Sequence, residues 1–205
     1  MKVAIIGAGN VGKALGTSMA RAGHDVTLAA NSPQSARAAA AEIGVGSAVD
    51  AASAVTDANV VILAVPYQAS AGVADEIAGG TVGRTIIDVT NPLNADYSGL
   101  ATDTSAAEEL QQRLPEAHVV KAFNTVFATN QSDPSGTDGP IDGFVAGDDP
   151  DAKQTVISLV ESIGMKPLDV GPLSAARYLE GMAFINIGLN AANGWSWTSA
   201  WKLER

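Results

Sequence analysis

A glycine-rich hexapeptide near the start of the chain constrains the fold more than any other feature. It consists of Gly7, Ala8, Gly9, Asn10, Val11 and Gly12. It follows a short apolar stretch and opens an Ala-rich one, and a GxGxxG loop in that context is typical of dinucleotide sites. The first glycine allows a tight turn, the second a close approach to the pyrophosphate, and the third close helix–strand packing. We therefore predict that these six residues bind the pyrophosphate, facing it with the free amides of the helix start.

Apolar stretches alternate with Ala-rich, helix-like stretches along the whole chain. The predicted strands are Lys2–Ile6, Asp25–Ala29, Asn59–Val65, Arg84–Val89, His118–Phe123, Gly143–Gly147 and Lys166–Val170. The predicted helices are Val11–Ala22, Pro33–Ile43, Tyr67–Ala78, Ser105–Leu114, Asp151–Ile163 and Ser174–Asn193. Continuous β-branched strands separated by helices indicate βαβ units whose strands are buried on both faces. The predicted fold class is α/β, a Rossmann-type, doubly wound, mostly parallel sheet with a small C-terminal helical part.

The length of 205 residues permits one α/β domain with a small appendage. We expect residues 1–170 to form the dinucleotide-binding Rossmann domain and residues 171–205 to form a helical segment packed on it. Two long loops are predicted, at residues 90–104 and 129–142. The second is rich in Asp, Gly, Pro and Ser, and we interpret it as a solvated flap.

Charge and composition exclude several classes of function. The net charge of −10 argues against nucleic acid or an anionic membrane as a partner. No apolar run approaches the roughly 18 residues that a membrane span needs, so we expect a cytoplasmic protein. The absence of cysteine removes disulfides, thiolate catalysis and most zinc or iron–sulfur sites, and we predict no metal site.

The glycine loop also comes close to the phosphate loop of nucleoside triphosphatases. Gly12 and Lys13 follow Gly7 at the required spacing. That pattern needs Ser or Thr next, to hold magnesium, and the chain has Ala14. The sequence therefore argues against a nucleoside triphosphatase, and Lys13 is predicted to be a solvated helix residue.

The end of the second strand favours NADP over NAD. An NAD site usually carries Asp or Glu about 20 residues past the loop, to bind the ribose 2′-hydroxyl. Here the strand ends in Ala30, Asn31 and Ser32, without a carboxylate that would repel a 2′-phosphate. Asn31 and Ser32 can donate hydrogen bonds, and Arg37 lies within reach on the next helix. Alternatively, Ser32 only caps that helix and Arg37 is solvated.

Conventional acid–base residues are scarce. The two histidines, His24 and His118, lie in a turn and at a strand start, and both are interpreted as structural. Hydride transfer between bound cofactors needs positioning and exclusion of water rather than a protein acid or base. Three segments at strand ends, where ligands bind in this fold, each carry a proline or an amide side chain. They contain Ala64, Val65 and Pro66, then Asn91 and Pro92, then Ala122 and Asn124.

Four segments together resemble the NADP-dependent deazaflavin-coenzyme oxidoreductase family, whose relatives include the reductase domain of the STEAP metalloreductases. The segments are residues 7–12 (GAGNVG), 88–93 (DVTNPL), 120–125 (VKAFNT) and 169–173 (DVGPL). The resemblance implies an oxidoreductase that exchanges a hydride between NADP and a flavin-like acceptor. It places the glycine loop at the pyrophosphate, Asn31–Ser32 at the 2′-phosphate, and Val65–Pro66 with Ala122–Asn124 along the nicotinamide. No catalytic acid or base is implied, and Asn124 is predicted to orient the nicotinamide.

Two departures from the family leave the acceptor open between a deazaflavin and a flavin. Members that act on deazaflavin often have Arg where this chain has Pro33, and several have His at Asn124. A small-substrate NADP dehydrogenase, such as one for β-hydroxyacids or imines, usually needs a longer helical C-terminal domain. A sensor or scaffold that binds NADP without turnover is the non-enzyme alternative. The expected partners are a small-molecule hydride acceptor and, by the resemblance, a second copy in a homodimer.

The last part of the chain carries three tryptophans, Trp195, Trp197 and Trp201. The spacing of Trp197 and Trp201 fits one helical face, whereas that of Trp195 and Trp197 fits a strand. A tail that seals the core, a dimer contact and a wall of the acceptor pocket are the alternatives. Arg177 and Glu180, three residues apart, are expected to pair on a helix surface unless Arg177 meets an anionic acceptor tail.

Overall fold

The computed structural model describes residues 1–135 and 139–204. Its strands are β1 (Lys2–Ile6), β2 (Asp25–Ala29), β3 (Gly46–Ser47), β4 (Val60–Leu63), β5 (Thr85–Asp88), β6 (His118–Lys121), β7 (Asp142–Gly147) and β8 (Lys166–Asp169). Its α-helices are α1 (Asn10–Arg21), α2 (Pro33–Ile43), α3 (Ala51–Val55), α4 (Tyr67–Ile77), α5 (Ala106–Arg113), α6 (Ala128–Ser132), α7 (Pro150–Ser162) and α8 (Ala176–Asn193). Short 3₁₀ turns, Ala78–Gly80 and Leu173–Ala175, follow α4 and precede α8.

The described strands form one sheet in the order β3-β2-β1-β4-β5-β6-β7-β8. Neighbours are parallel except β6 and β7, which pair antiparallel. From β1 the chain extends the sheet to one side through β2 and β3, and then returns to place β4 on the other side of β1. Such a switch point, at the carboxyl ends of the strands, is where ligands bind in open α/β sheets. The predicted fold class is confirmed.

Successive strand residues pack on opposite layers of helices. Ile5 of β1 and Ile62 of β4 are fully buried in one cluster with Leu15 and Met19 of α1 and with residues of α7. The next residue along each strand belongs to a second cluster, which includes side chains of α3, α4 and α5. Because strands buried on both faces need apolar side chains at every position, the continuous apolar runs of the sequence correspond to these strands.

Side-chain caps fix where four of the described helices begin. Ser32 accepts a hydrogen bond from the Ser35 amide at 3.2 Å and starts α2. Helices α3, α5 and α7 are capped in the same way by Asp50, Ser105 and Asp149. Helix α1 differs, because its N-cap residue is Gly9, which has no side chain to cap with. The first amides of α1 are therefore not engaged by a side-chain cap and can serve a bound anion.

Three short elements of the structure are not predicted from the sequence. They are β3, α3 and α6, of two, five and five residues. Helix α6 corrects the interpretation of residues 129–142 as a solvated flap, because Gln131, Ile141 and Asp142 are buried. The composition there, rich in Asp, Gly, Pro and Ser, predicts a solvated loop. Which of its residues are buried depends instead on contacts with distant segments, which composition does not show. Residues 136–138 of that predicted flap lie outside the described residues.

The C-terminal segment also corrects two expectations. Arg177 and Glu180 do not pair with each other: Arg177 bonds Glu108 of α5 at 2.7 Å, and Glu180 is fully buried against Lys121. Helix α8 ends at Asn193, before the tryptophans, so Trp197 and Trp201 share no helical face. The tail lies along the body of the protein instead, where Asn130 donates to the Thr198 carbonyl at 2.9 Å. Trp197 packs edge-to-face on the ring of Phe127.

None of the described helices combines the length and apolar character that a bilayer span requires.

Candidate functional site

The glycine loop lies where β1, β2 and β4 end. Gly7 has a φ of 118°, and a Cβ at this residue would stand 2.1 Å from the Ala64 carbonyl oxygen. A Cβ at Gly12 would stand 1.8 Å from the Gly7 carbonyl oxygen. A Cβ at Gly9 would meet no protein atom within 4 Å, so its space opens toward the solvent side of the loop. Gly7 and Gly12 are thus required by the fold itself, whereas Gly9 leaves room for a ligand.

A cleft of about 570 Å³ opens beside this loop. Its volume falls in the usual range of about 300–1,000 Å³ for small-molecule sites. The walls come from the loop, from the ends of β2 and β4, and from α3 and α4. They comprise Ile6, Gly7, Ala8, Gly9, Ala30, Asn31, Ser35, Ala51, Ala64, Val65, Pro66, Ala69, Val73 and Glu76. The cleft therefore contains seven of the residues predicted from the sequence, namely Gly7, Ala8, Gly9, Asn31, Ala64, Val65 and Pro66.

The end of β2 presents hydroxyl and amide groups to the cleft. Asn31 and Ser35 line the wall, while Ser32 caps α2 and its hydroxyl donates to that of Ser35 at 2.9 Å. Arg37 is exposed on α2, where its Nε donates to the Pro33 carbonyl at 3.3 Å. The sequence analysis does not predict Ser35 as a cleft residue. Its position three residues after a capping serine does indicate that it lies in the first turn of α2. No carboxylate occupies the end of β2, as the sequence predicts.

A second cavity, of about 110 Å³, lies where β5 and β6 end, next to the start of α1. Val11, Val89, Asn91, residues 123–128, Gln131, Ala183, Asn186 and Ile187 form its walls. At this cavity Asn124 donates through Nδ2 to Asn91 Oδ1 at 2.9 Å, and Asn91 Nδ2 donates to the Asn124 carbonyl at 3.0 Å. Asn124 is 7% exposed, and its Oδ1 atom is buried without a hydrogen-bond partner among the described residues. A buried amide oxygen without a protein donor has a lone pair that a ligand N–H group at this cavity can use.

The turn that carries Asn124 is stabilised by a buried side chain of α6. Phe123 adopts a φ of 64°, a left-handed conformation that costs a non-glycine residue free energy. The buried side chain of Gln131 donates to the Phe123 carbonyl at 3.1 Å and to the Val126 carbonyl at 2.9 Å. Helix α6 therefore has a defined function in the fold, because it delivers Gln131 to the turn that ends β6.

Six predicted site residues lie away from both cavity walls. They are Asn10, Gly12, Ser32, Arg37, Pro92 and Ala122. Pro92 and Ala122 are buried beneath the walls, and Asn10 is exposed at the start of α1. The histidines are remote as well: His24 contacts Ser162 at 2.8 Å and His118 faces Asp149 at 3.5 Å. Burial lowers the pKa of His24 below its ordinary value, with a further contribution from the nearby N-terminal charge.

Comparison with known proteins identifies the family of this chain. The family model described as "NADP oxidoreductase coenzyme F420-dependent" matches residues 2–92. The F420-dependent NADP reductase of Methanothermobacter marburgensis is 31% identical over 214 residues, covering 94% of this chain and 94% of that protein. The chain belongs to the F420-dependent NADP oxidoreductase family. The resemblance drawn from four sequence segments is thereby confirmed.

Two further relatives match this chain over most of its length. The metalloreductase STEAP3 of Rattus norvegicus is 32% identical over 183 residues. The match covers 87% of this chain and 36% of STEAP3, so the chain spans about a third of that protein. A solved structure from Arthrobacter sp. FB24, assigned provisionally to the F420-dependent NADP reductases, superposes with a TM-score of 0.90 and 29% identity, covering all of both chains. The chain is therefore an NADP-dependent oxidoreductase with a Rossmann fold, as predicted.

A cluster of buried charges lies behind the second cavity of this oxidoreductase. Lys121 of β6 is fully buried, and its Nζ donates to Asp88 Oδ2 at 2.7 Å, to Glu180 Oε1 at 2.7 Å and to the Thr90 carbonyl at 2.5 Å. Burial raises the pKa of Glu180, while the Lys121 charge opposes that shift. Lys121 lies in the segment 120–125 that carries the family resemblance, but the sequence alone predicts no role for it. The available signal is a lysine among the apolar residues of a predicted buried strand.

Proposed function

We propose that this chain transfers a hydride between NADP(H) and a deazaflavin of the F420 type. The main supporting observation is the second cavity, whose described walls contain amide, hydroxyl and apolar side chains but no titratable one. Hydride transfer between two bound cofactors needs no protein acid or base, so these walls suit it. Two relatives that are F420-dependent NADP reductases support the choice of acceptor. A flavin remains the alternative acceptor of the same chemical class.

The deciding experiment is an anaerobic assay with NADPH and with NADH, offering a deazaflavin, FMN or FAD in turn. Deazaflavin reduction that depends on NADPH is the expected result. Reduction of FMN or FAD in preference to the deazaflavin would overturn the acceptor while leaving hydride transfer in place. Tight NADPH binding without transfer to any of the three would instead support the sensor alternative.

In the proposed binding mode, the phosphate end of the cofactor lies in the cleft and its nicotinamide end lies at the second cavity. The glycine loop, residues 7–12, would hold the pyrophosphate at the start of α1, with Asn31, Ser32 and Arg37 at the 2′-phosphate. Residues 64–66, 91–92 and 122–124 would support the nicotinamide end. In this arrangement residues 1–170 carry the dinucleotide, while residues 171–205 complete the acceptor end, because Ala183, Asn186 and Ile187 of α8 line the second cavity.

The end of β2 should set the preference for NADPH. We expect Asn31→Asp to weaken NADPH binding by about tenfold or more, because a carboxylate near the 2′-phosphate repels it. NADH, which lacks this phosphate, should bind the variant at least as well as it binds the wild type. Dissociation constants for both cofactors, from quenching of tryptophan fluorescence, give the measurement. Ala38→Glu, which adds the same charge farther along α2, is the control, and equal losses for NADPH and NADH in Asn31→Asp would contradict the assignment.

Asn124 should act on the nicotinamide more than on the rest of the cofactor. If its free Oδ1 accepts the carboxamide N–H, Asn124→Ala should slow single-turnover hydride transfer by about 10- to 100-fold, since misplacement of a reacting group has that cost. NADPH affinity should fall less, because most binding contacts lie along the phosphates. Stopped-flow absorbance and equilibrium titration separate the two quantities. Asn130→Ala, whose amide binds the tail at Thr198, is the matched control, and equal losses in rate and affinity would count against this role.

We propose that the chain forms a homodimer and that the two copies meet through α8. Tyr178, Ile185 and Leu189 are 72%, 53% and 42% exposed, and their spacing places them on one face of the helix. An exposed apolar stripe of this length is typical of an interface. We expect a wild-type dimer in sedimentation velocity and a monomer after Ile185→Lys with Leu189→Lys. Val82→Lys, at an exposed valine elsewhere, should remain dimeric; a monomeric wild type would disprove the proposal.

A further inference from the structure

The buried charges around Lys121 do more than fill the core. Lys121, Asp88 and Glu180 are each at most 1% exposed, and two carboxylates face one ammonium group. Such clusters are weak evidence for stability, because apolar replacements of similar volume are often neutral or stabilising. The Oε2 atom of Glu180 is also buried without a partner among the described residues. Because burying these charges costs desolvation free energy, we look for a role of the cluster in positioning nearby residues as well as in stability.

The cluster holds the backbone of one residue, Thr90, from two sides. Asp88 Oδ1 accepts hydrogen bonds from the Thr90 amide at 3.0 Å and from its hydroxyl at 2.7 Å. Lys121 Nζ binds the Thr90 carbonyl oxygen at 2.5 Å. The peptide groups on both sides of Thr90 are therefore fixed by charged side chains, whose hydrogen bonds are stronger than neutral ones.

The residue held in this way leads directly to the second cavity. Asn91 follows Thr90, and its side chain exchanges hydrogen bonds with Asn124, three residues beyond Lys121. Glu180 connects the same cluster to α8, whose residues Ala183 and Ile187 line the cavity. Glu180 Oε1 also accepts the Ala106 amide at 3.0 Å, which ties α8 to the start of α5. Three elements that form or support the cavity wall thus meet at one ammonium group.

We propose that Lys121 is a positioning residue: held between Asp88 and Glu180, it fixes Thr90 so that the Asn91–Asn124 pair aims the free Asn124 oxygen at the nicotinamide carboxamide. This inference rests on the proposed function, because it assigns the second cavity to the nicotinamide. It assigns Lys121 no contact with the cofactor. Its effect passes through Thr90 and the two asparagines.

The test is cofactor binding, which needs no acceptor. The probes are NADP⁺ and its 3-acetylpyridine analogue, which lacks the carboxamide N–H that Asn124 would accept. We expect the wild type to prefer NADP⁺ by about 3- to 10-fold, the usual value of one hydrogen bond. The double variant Lys121→Met with Glu180→Gln keeps the excess of one negative charge in the cluster. It should lose the preference while retaining affinity for the analogue.

Two further variants separate positioning from folding. Glu108→Gln breaks the neighbouring α8–α5 ion pair with Arg177 and should keep the wild-type preference. Asn124→Ala should lose the preference and show no additional loss when combined with the double variant. A folded double variant that discriminates like the wild type would overturn the inference. So would a wild type that binds both probes equally well.

Single-turnover hydride transfer gives an independent readout. The double variant should transfer hydride about 10- to 100-fold more slowly, with an unchanged dissociation constant for the analogue. If the wild type reduces no flavin or deazaflavin, the proposed function fails, yet the binding preference still decides the inference about Lys121. If transfer occurs at the wild-type rate in the folded double variant, Lys121 has no positioning effect.

Discussion

Replacing Gly9 by alanine is expected to leave the fold intact and to weaken NADPH binding by about 10- to 100-fold, because forcing a methyl group into a packed contact costs about 1–3 kcal/mol. A Cβ at this residue meets no protein atom within 4 Å, so the free protein can accommodate it. The same methyl group would occupy the space that the pyrophosphate needs at the start of α1. Thermal unfolding without cofactor and NADPH titration provide the two measurements.

Gly12→Ala is the matched comparison, because it adds the same methyl group to the same loop. Its Cβ would stand 1.8 Å from the Gly7 carbonyl oxygen, so the protein itself must shift. We expect this variant to lower the melting temperature in the absence of cofactor. A Gly9→Ala protein that binds NADPH normally would show that the phosphates do not approach this residue, and the assignment of the glycine loop would then be wrong.

Lys121→Met is expected to destabilise the protein by about 3–5 kcal/mol, because it removes one partner from a buried ion cluster and leaves charges uncompensated. That is a large share of the roughly 5–15 kcal/mol by which a domain is usually stable. Urea unfolding followed by circular dichroism measures the loss. This single variant therefore tests stability, whereas the double variant, which keeps the net charge of the wild-type cluster, tests positioning.

A second lysine provides the control for that measurement. Lys13 pairs with Glu42 at 3.0 Å, but the two side chains are 30% and 61% exposed. Lys13→Met should change the free energy of unfolding by less than about 1 kcal/mol, as is usual for exposed ion pairs. Similar losses for the two lysines would mean that the cluster around Lys121 is solvated in solution. The pairing with Glu42 also refines the sequence prediction that Lys13 is simply solvated.

The sequence determines the part of the site that depends on local geometry. The glycine loop can be predicted because the need for glycine is set by nearby backbone atoms. In the structure, a Cβ at Gly7 or at Gly12 would clash with such atoms. The seven predicted strands differ from the observed ones by no more than two residues at either end. Continuous apolar runs identify buried parallel strands well, since every side chain of such a strand is covered.

The parts that the sequence did not reveal depend on distant contacts. Glu180 and Arg177 are close in sequence, and a local rule predicts a pair between them. Their actual partners, Lys121 and Glu108, are 59 and 69 residues away. They become neighbours only when the fold brings α8 against the end of β6 and against α5. Gln131 is similar, because its side chain supports a turn that no composition argument associates with it. Long-range polar contacts leave no periodic signal in a single sequence.

The composition of the 570 Å³ cleft has a consequence for how fast the cofactor is captured. Its described walls include Glu76 but no lysine or arginine, and the whole chain carries a net charge of −10. NADPH, itself an anion, must therefore diffuse toward a surface that repels it on average. Dissolved salt screens this repulsion over about 10 Å at 0.1 M. The association rate should then rise with ionic strength, opposite to the behaviour of anion sites built from basic side chains.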